Sequence, residues 1–308
     1  MGIEIVIKSI IDSINQVILT NFIILIQGET GTGKSYLAEL IHKLSKRRDK
    51  QFIKIDIGSL SENIIESELF GHEKGAFTGA EKKKKGFFEM AKGGTLFIDE
   101  IENLPYTLQS KLLSVVGDKY FYTVGGSKAL SMDVRLICAS NQDLCSLKKE
   151  NKFRNDLYYR LTEFVITIPP LRERIEEIPF FVNKFLLDIC DESNKPLVSI
   201  TDSAMDFLTQ QPWNGNIREL KNVIQRVVLM SNKNTITPDI IKCYCEDTYQ
   251  IDNCKTYMPF KEYLKQHEIL YFKRLLRFTN GNRVKAASIS KVSYRHLLFK
   301  LKKYNIKD

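Results

Sequence analysis

Eight consecutive residues, Gly28-Glu29-Thr30-Gly31-Thr32-Gly33-Lys34-Ser35, fit the pattern G-x-x-x-x-G-K-[ST]. Glycines at these spacings let successive backbone N–H groups turn inward around phosphate oxygens, and a helix opening at Ser35 adds a favourable dipole. Lys34 can then reach the β- and γ-phosphates, and the Ser35 hydroxyl can ligate Mg²⁺. About 65 residues downstream, Thr95-Leu96-Phe97-Ile98-Asp99-Glu100 is an apolar run that ends in two acids. A carboxylate at the C-terminal end of a strand sits beside the phosphate loop in such sheets. Asp99 would hold Mg²⁺ directly or through water, and Glu100 would polarise the attacking water as general base. A third segment, Gly75-Ala76-Phe77-Thr78-Gly79-Ala80, brackets one large aromatic and one hydroxyl between two glycines that can serve as hinges. An aromatic on an exposed tip is costly unless it meets a partner; the bland alternative is a turn that tucks Phe77 into the core.

These groups need elements to hold them. Apolar runs at Phe22–Ile26, Phe52–Ile57, Thr95–Ile98, Val134–Ala139 and Phe164–Ile168 alternate with helical patterns such as Ser35–Ser45 and Pro105–Val116. That alternation predicts βαβ units, hence an α/β fold with a parallel sheet and helices on both faces, over residues 1–170. Residues 171–241 carry helical periodicity at Ile175–Cys190, Thr201–Gln211 and Asn216–Met230, which predicts a small all-α lid after the Pro169-Pro170 break. Residues 242–259 read as a linker, and 260–308 as a separate helical module.

At 308 residues and 43% hydrophobic, the chain can bury a sizeable core, and wholesale disorder is excluded. No apolar run approaches the roughly 20 residues that span a bilayer, so no membrane partner is expected. Six scattered cysteines read as reduced thiols of a cytoplasmic protein. The net charge of +9 is unevenly placed: Lys255–Asp308 holds 14 basic and 3 acidic residues, and the rest of the chain is close to neutral at −2. A near-neutral body with a strongly basic end suggests a core joined to a polyanion binder.

Glu66-Ser-Glu-Leu-Phe-Gly-His-Glu-Lys-Gly-Ala-Phe-Thr-Gly-Ala80 resembles the signature of the sigma-54-dependent transcription activators, the bacterial enhancer-binding proteins, which are AAA+ ATPases. Gly94-Thr-Leu-Phe-Ile-Asp-Glu-Ile101, Val134–Asn141, Phe153–Leu161 and Gly215–Leu220 carry the resemblance along nearly the whole chain. It implies an AAA+ phosphate-loop fold with ATP and Mg²⁺ as cofactors, and contact between Gly75–Ala80, Phe77 and Thr78 above all, and the sigma-54 subunit of RNA polymerase. It also implies arginine fingers at Arg154 and Arg160 reaching a neighbouring subunit, a first sensor at Asn141 and a second at Arg218 on a lid helix. Asp56 stands where the family commonly has an Asn that holds the glutamate, so two carboxylates, Asp56 and Glu100, would repel where an amide would bond. Ser35 stands where many members carry Glu, and Asn214 replaces a proline in the lid turn. Only about 20 residues precede the first strand, so either the chain start is misassigned or the adenine-lining segment is expected to be short and the base held less tightly; no regulatory domain is expected in so short a segment, and activity is then expected to follow expression level or a separate inhibitor.

The terminal module resembles a Fis-type helix-turn-helix, beginning at Thr279–Arg283, with Ala286-Ala287 at the close contact and Ser293–Tyr304 as recognition helix. Tyr294, Arg295 and His296 are its expected base readers, and Lys300, Lys302 and Lys303 its expected phosphate contacts. Ser290 replaces a core Leu, and Lys291 a turn Gly that the family usually has. The whole reads as an ATP-dependent transcription activator that binds upstream double-stranded DNA, assembles into a homo-oligomeric ring, a hexamer, and remodels the sigma-54 polymerase closed complex. The competing readings are a DNA-binding regulator or repressor with weak or degenerate remodelling activity, and an AAA+ remodeller of other proteins.

Overall fold

The computed structural model describes residues 14, 17–230, 235–242 and 281–304, together with 265, 268, 269, 271–273, 275, 276, 279 and 306. The linker expected at 242–259, apart from Lys242, and the start of the chain through residue 13 lie outside the described residues. The chain divides into two units, Met1–Tyr244 and Cys245–Asp308.

The first unit is built on five parallel strands, β1 (Ile24–Gln27), β2 (Phe52–Asp56), β3 (Thr95–Asp99), β4 (Arg135–Ser140) and β5 (Phe164–Thr167), in the order β2-β3-β4-β1-β5. Parallel strands covered on both faces must read as unbroken apolar runs. Ile24–Ile26, Leu96–Ile98 and Leu136–Ala139 do so, and each is almost wholly buried. Strand alternation then sorts them. Leu25, Leu96, Ile98, Leu136 and Cys138 meet helices α2 (Glu62–Phe70), α3 (Tyr106–Asp118) and α4 (Asn155–Leu161). Ile24, Ile26, Phe97, Ile137 and Ala139 meet Leu37, Ala38 and Ile41 of α1 (Lys34–Leu44). The first strand starts at Ile24 and not at the expected Phe22, whose ring is exposed. Arg135 is buried at the start of β4, where it donates to the carbonyls of Ile18 at 2.7 Å and Val17 at 3.0 Å.

The register sets Asp56 of β2 beside Asp99 of β3, so two acids share the C-terminal edge of the sheet. The phosphate loop leaves β1 at that same edge, pinned by Gly28 N–H donating to the Ser140 carbonyl at 3.2 Å.

Helices α5 (Ile178–Glu192), α6 (Asp202–Thr209) and α7 (Asn216–Met230) form the lid. Thr201 caps α6 by accepting from Ala204 N–H, which explains where that helix begins. A two-residue parallel pair, Ser199–Ile200 with Thr235–Ile236, adds to the otherwise helical lid. Trp213 is fully buried, its indole N–H donating to the Leu208 carbonyl at 2.8 Å. Asn214 is exposed, and the turn it occupies is closed by Asn216 N–H donating to the Trp213 carbonyl at 2.8 Å.

In the second unit α8 (Arg283–Ser290) and α9 (Tyr294–Lys303) enclose Ala286, Ala287, Leu297 and Leu301. Asn282 caps α8 through Lys285 N–H, and Ser293 caps α9 through His296 N–H. Lys291 ends α8 with φ 53°, a left-handed conformation that favours glycine. Ser290 turns its hydroxyl back on the helix, donating to the Ala286 carbonyl at 2.8 Å.

Candidate active site

A cleft of about 390 Å³ opens at the C-terminal edge of the sheet, lined by Thr30, Gly31, Gly33, Lys34 and Ser35 of the loop, Asp56, Asp99 and Glu100 of the strand ends, and Ile217, Arg218 and Lys221 of the lid. The loop-to-helix turn that positions Lys34 has no side-chain cap, so the first N–H groups of α1 stay free of side-chain acceptors and face the loop's concavity. Lys34 is buried and folds onto its own loop, donating to the carbonyls of Gly28 at 2.7 Å and Glu29 at 3.0 Å. Burial lowers its pKa, while Asp99, Glu102 and Glu100 pull the other way. Thr32 is buried and donates to the Glu29 carbonyl at 2.8 Å, which tightens the loop.

Ser35 Oγ donates to Asp99 Oδ2 at 3.0 Å, so the two residues expected to hold Mg²⁺ are brought together. Asp56 carries a buried Oδ1 with no hydrogen-bond partner. The Ser35 hydroxyl and the Asp99 carboxylate are hard donors that suit Mg²⁺. Among the described residues no group of three His, Cys, Asp or Glu could hold a metal alone, so a cation here would take further ligands from phosphate and water.

Glu100 adopts φ 53°, a strained conformation for a side-chain-bearing residue. Its N–H donates to Asp99 Oδ1 at 3.1 Å, and its Oε2 accepts from Asn103 Nδ2 at 2.9 Å. Gly58 leaves room for this carboxylate: a Cβ there would lie 2.0 Å from Glu100 Oε2 and push the side chain from its present place. Burial raises the Glu100 pKa, followed by the nearby carboxylates of Asp56, Glu102 and Asp99. The expected conflict between residues 56 and 100 is therefore present, and Asn103 supplies an amide from the other side.

Glu29 turns its carboxylate away from the cleft. Arg172, at the start of the lid segment, grips it with two bonds of 2.8 and 2.6 Å, and Asn216 adds a third at 3.1 Å. These donors push its pKa down to about 2. Asn216 is fully buried and also bonds the Thr30 carbonyl at 3.0 Å, so loop and lid are tied together.

Asn141, Arg154 and Arg160 do not line the cleft. Asn141 follows β4, its N–H donating to Glu102 Oε1 at 3.1 Å. Arg154 precedes α4 and pairs with Asp156 at 2.8 Å; Arg160 is exposed on the same helix. Lys54, Glu102, Lys221, Arg172 and Asn103 shape the site without belonging to any motif, and Asn216 does so from within Gly215–Leu220, where no role was expected of it. Lys54 and Lys221 had a faint signal: each lies one strand or helix repeat from a motif residue, Asp56 and Arg218.

The Gly75–Ala80 loop projects from a short antiparallel pair, Gly71–His72 with Lys84–Lys85. Gly75 N–H donates to the Ala80 carbonyl at 2.8 Å, with φ 81° at Gly75 and 100° at Gly79. Phe77 is 46% exposed, its ring edge-on to His72 with centroids 5.0 Å apart, so it is not a core residue. Thr78 and Gly79 are exposed, Ala76 is half-buried and Ala80 is buried in the stem. In the second unit Tyr294, Arg295, His296, Lys302 and Lys303 are exposed. Lys300 is not: both oxygens of Glu268 accept from it at 2.7 Å, which ties this expected phosphate contact into the module.

The sigma-54 interaction domain model matches residues 1–167, and the AAA+ ATPase lid domain model matches 172–255. The regulatory protein AtoC of Escherichia coli K12 is 40% identical over 296 residues, covering 94% of this chain and 64% of its own length. The Nif-specific regulatory protein of Herbaspirillum seropedicae is 44% identical, covering 79% of this chain and 45% of its own. The chain thus spans less than two thirds of either relative. A structure of NtrX from Brucella abortus in complex with ATP superposes with a TM-score of 0.71 at 29% identity, covering 98% of this chain and 68% of that one. The first match takes in the entire five-stranded sheet with both loops, more than half of the chain, and on that ground the chain belongs to the sigma-54 interaction domain family.

Proposed function

We propose that the chain is an ATP-dependent transcription activator acting on sigma-54 RNA polymerase. The observation that carries this reading is the convergence of Lys34, Ser35, Asp99 and Glu100 on one cleft beneath Arg218. ATP enters with its phosphates on the loop N–H groups, and Lys34 exchanges its loop carbonyls for phosphate oxygens. Mg²⁺, held by Ser35 and Asp99, would neutralise charge on those oxygens. Glu100 orients a water and takes its proton, and Arg218 contacts the nucleotide from the lid. Arg154 and Arg160 do not line their own cleft, which suits fingers that act in a neighbouring subunit of a ring. The exposed Phe77 and Thr78 then carry the work of hydrolysis to the sigma-54 subunit. Arg295, with Tyr294 and His296, reads base edges of upstream DNA, while Lys302 and Lys303 meet phosphates.

The deciding experiment is ATP-dependent open-complex formation with purified sigma-54 polymerase on a promoter fragment that the chain binds. Opening in the presence of ATP, and none with a non-hydrolysable analogue, is the expected outcome. Binding without opening would favour the second reading, a DNA-binding regulator with weak remodelling, which the opposed carboxylates of Asp56 and Glu100 make physically reasonable.

A further inference from the structure

Lys54 lies two residues before Asp56 on β2, so both side chains leave the same face of the strand, and both line the cleft. Its ammonium donates to Ser35 Oγ at 2.9 Å and stands 3.7 Å from Asp99 Oδ2. The Phe97 ring lies 5.6 Å away. A cation of the chain itself therefore rests against the two oxygen ligands assigned above to the metal. Its side chain is 48% exposed, which leaves the stem free to swing. Close by, Asp56 Oδ1 is buried and unbonded, an acceptor that costs free energy until something meets it.

We propose that Lys54 is the resident counter-cation of the Ser35–Asp99 pair, holding both ligands in place before the metal arrives, then yielding them and turning to Asp56. A univalent and a divalent cation cannot share two ligands at this separation without strong repulsion. Residues two apart on a strand are separated by roughly 6.6 Å, within reach of a four-carbon lysine stem. The exchange gives the buried Asp56 oxygen a partner only in the loaded state. Lys54 is thus a positioning residue for the metal ligands, and this role rests on the metal reading proposed above.

The test uses the full chain with Mn²⁺ as probe, its free concentration read by electron paramagnetic resonance. Without nucleotide, Lys54→Met is expected to bind Mn²⁺ about two- to fivefold more tightly than wild type, the range for losing one partly exposed competing charge. Lys54→Arg, which keeps the charge, should bind no more tightly than wild type. Asp56→Asn should weaken Mn²⁺ binding more in wild type than in Lys54→Met, because only the former loses a destination for its ammonium. Equal Mn²⁺ affinity in wild type and Lys54→Met would overturn the role of Lys54 while leaving the metal site standing. No Mn²⁺ bound by wild type even at saturating ADP would overturn the metal reading and this inference with it.

Discussion

Asn103 donates its side-chain amide to Glu100 Oε2 at 2.9 Å, so the expected base is held from three residues along its own turn and not by residue 56. Asn103→Asp would replace that donor with another carboxylate. Glu100 serves as a base only when deprotonated, and burial with its acidic neighbours already raises its pKa. The acid limb of kcat/KM is therefore expected above the ordinary carboxylate range, and Asn103→Asp should move it higher. Glu100→Gln should still bind ATP and slow hydrolysis by about 10²–10⁴-fold. A pH–rate series with calorimetric nucleotide titrations checks both; an unmoved acid limb would remove Asn103 from this role.

Glu29 and Arg172 couple the phosphate loop to the lid, and their pairing has a definite pH signature. The folded-state pKa of Glu29, about 2, lies below its ordinary value of 4.5. The stability it contributes is full above the unfolded value and is lost as pH falls from 4.5 towards 2. Both side chains are 41% exposed, so screening limits the contribution to about 1 kcal/mol. Thermal melts of Glu29→Gln should run a few degrees below wild type at neutral pH and converge with it near pH 2–3. Parallel curves across that range would contradict the assignment.

Phe77→Ala should leave ATP turnover near wild type and abolish activation. The ring touches His72 and solvent, while the loop is closed by the backbone bond from Gly75 to Ala80, which the substitution keeps. Turnover and open-complex formation, measured on one preparation, separate the two effects. Loss of turnover in parallel would mean that the ring supports the stem.

Lys291→Gly should stabilise the second unit by about 1 kcal/mol, because the left-handed turn at φ 53° strains any residue with a Cβ. Amide hydrogen exchange across α8 and α9 in the full chain is the direct measurement. Slower exchange there, with the first unit unchanged, is the expected result.

The three inner strands were legible because buried parallel strands leave unbroken apolar runs, and the phosphate loop because its glycines and lysine serve one geometry. Helix starts at Asp202 and Tyr294 were legible through Thr201 and Ser293, whose hydroxyls cap them. Asn103 and Glu102 were not, and Lys54 only faintly. Each acts through a contact that depends on register or on a turn conformation, such as the left-handed Glu100, which composition and spacing do not encode. Lys300 has a partner that spacing does not announce: Glu268, 32 positions earlier, is packed against it.

Trp213 is the only tryptophan in the chain. It is sealed in the lid turn three residues before Asn216, whose amide holds Glu29 and the Thr30 carbonyl. Any rotation of the lid against the phosphate loop must pull on that turn and change the packing around the indole. The protein therefore carries a built-in fluorophore beside the tie between lid and phosphate loop. Nucleotide binding is expected to register, without a label, in emission excited at the red edge of the indole band, where the chain's 13 tyrosines do not absorb.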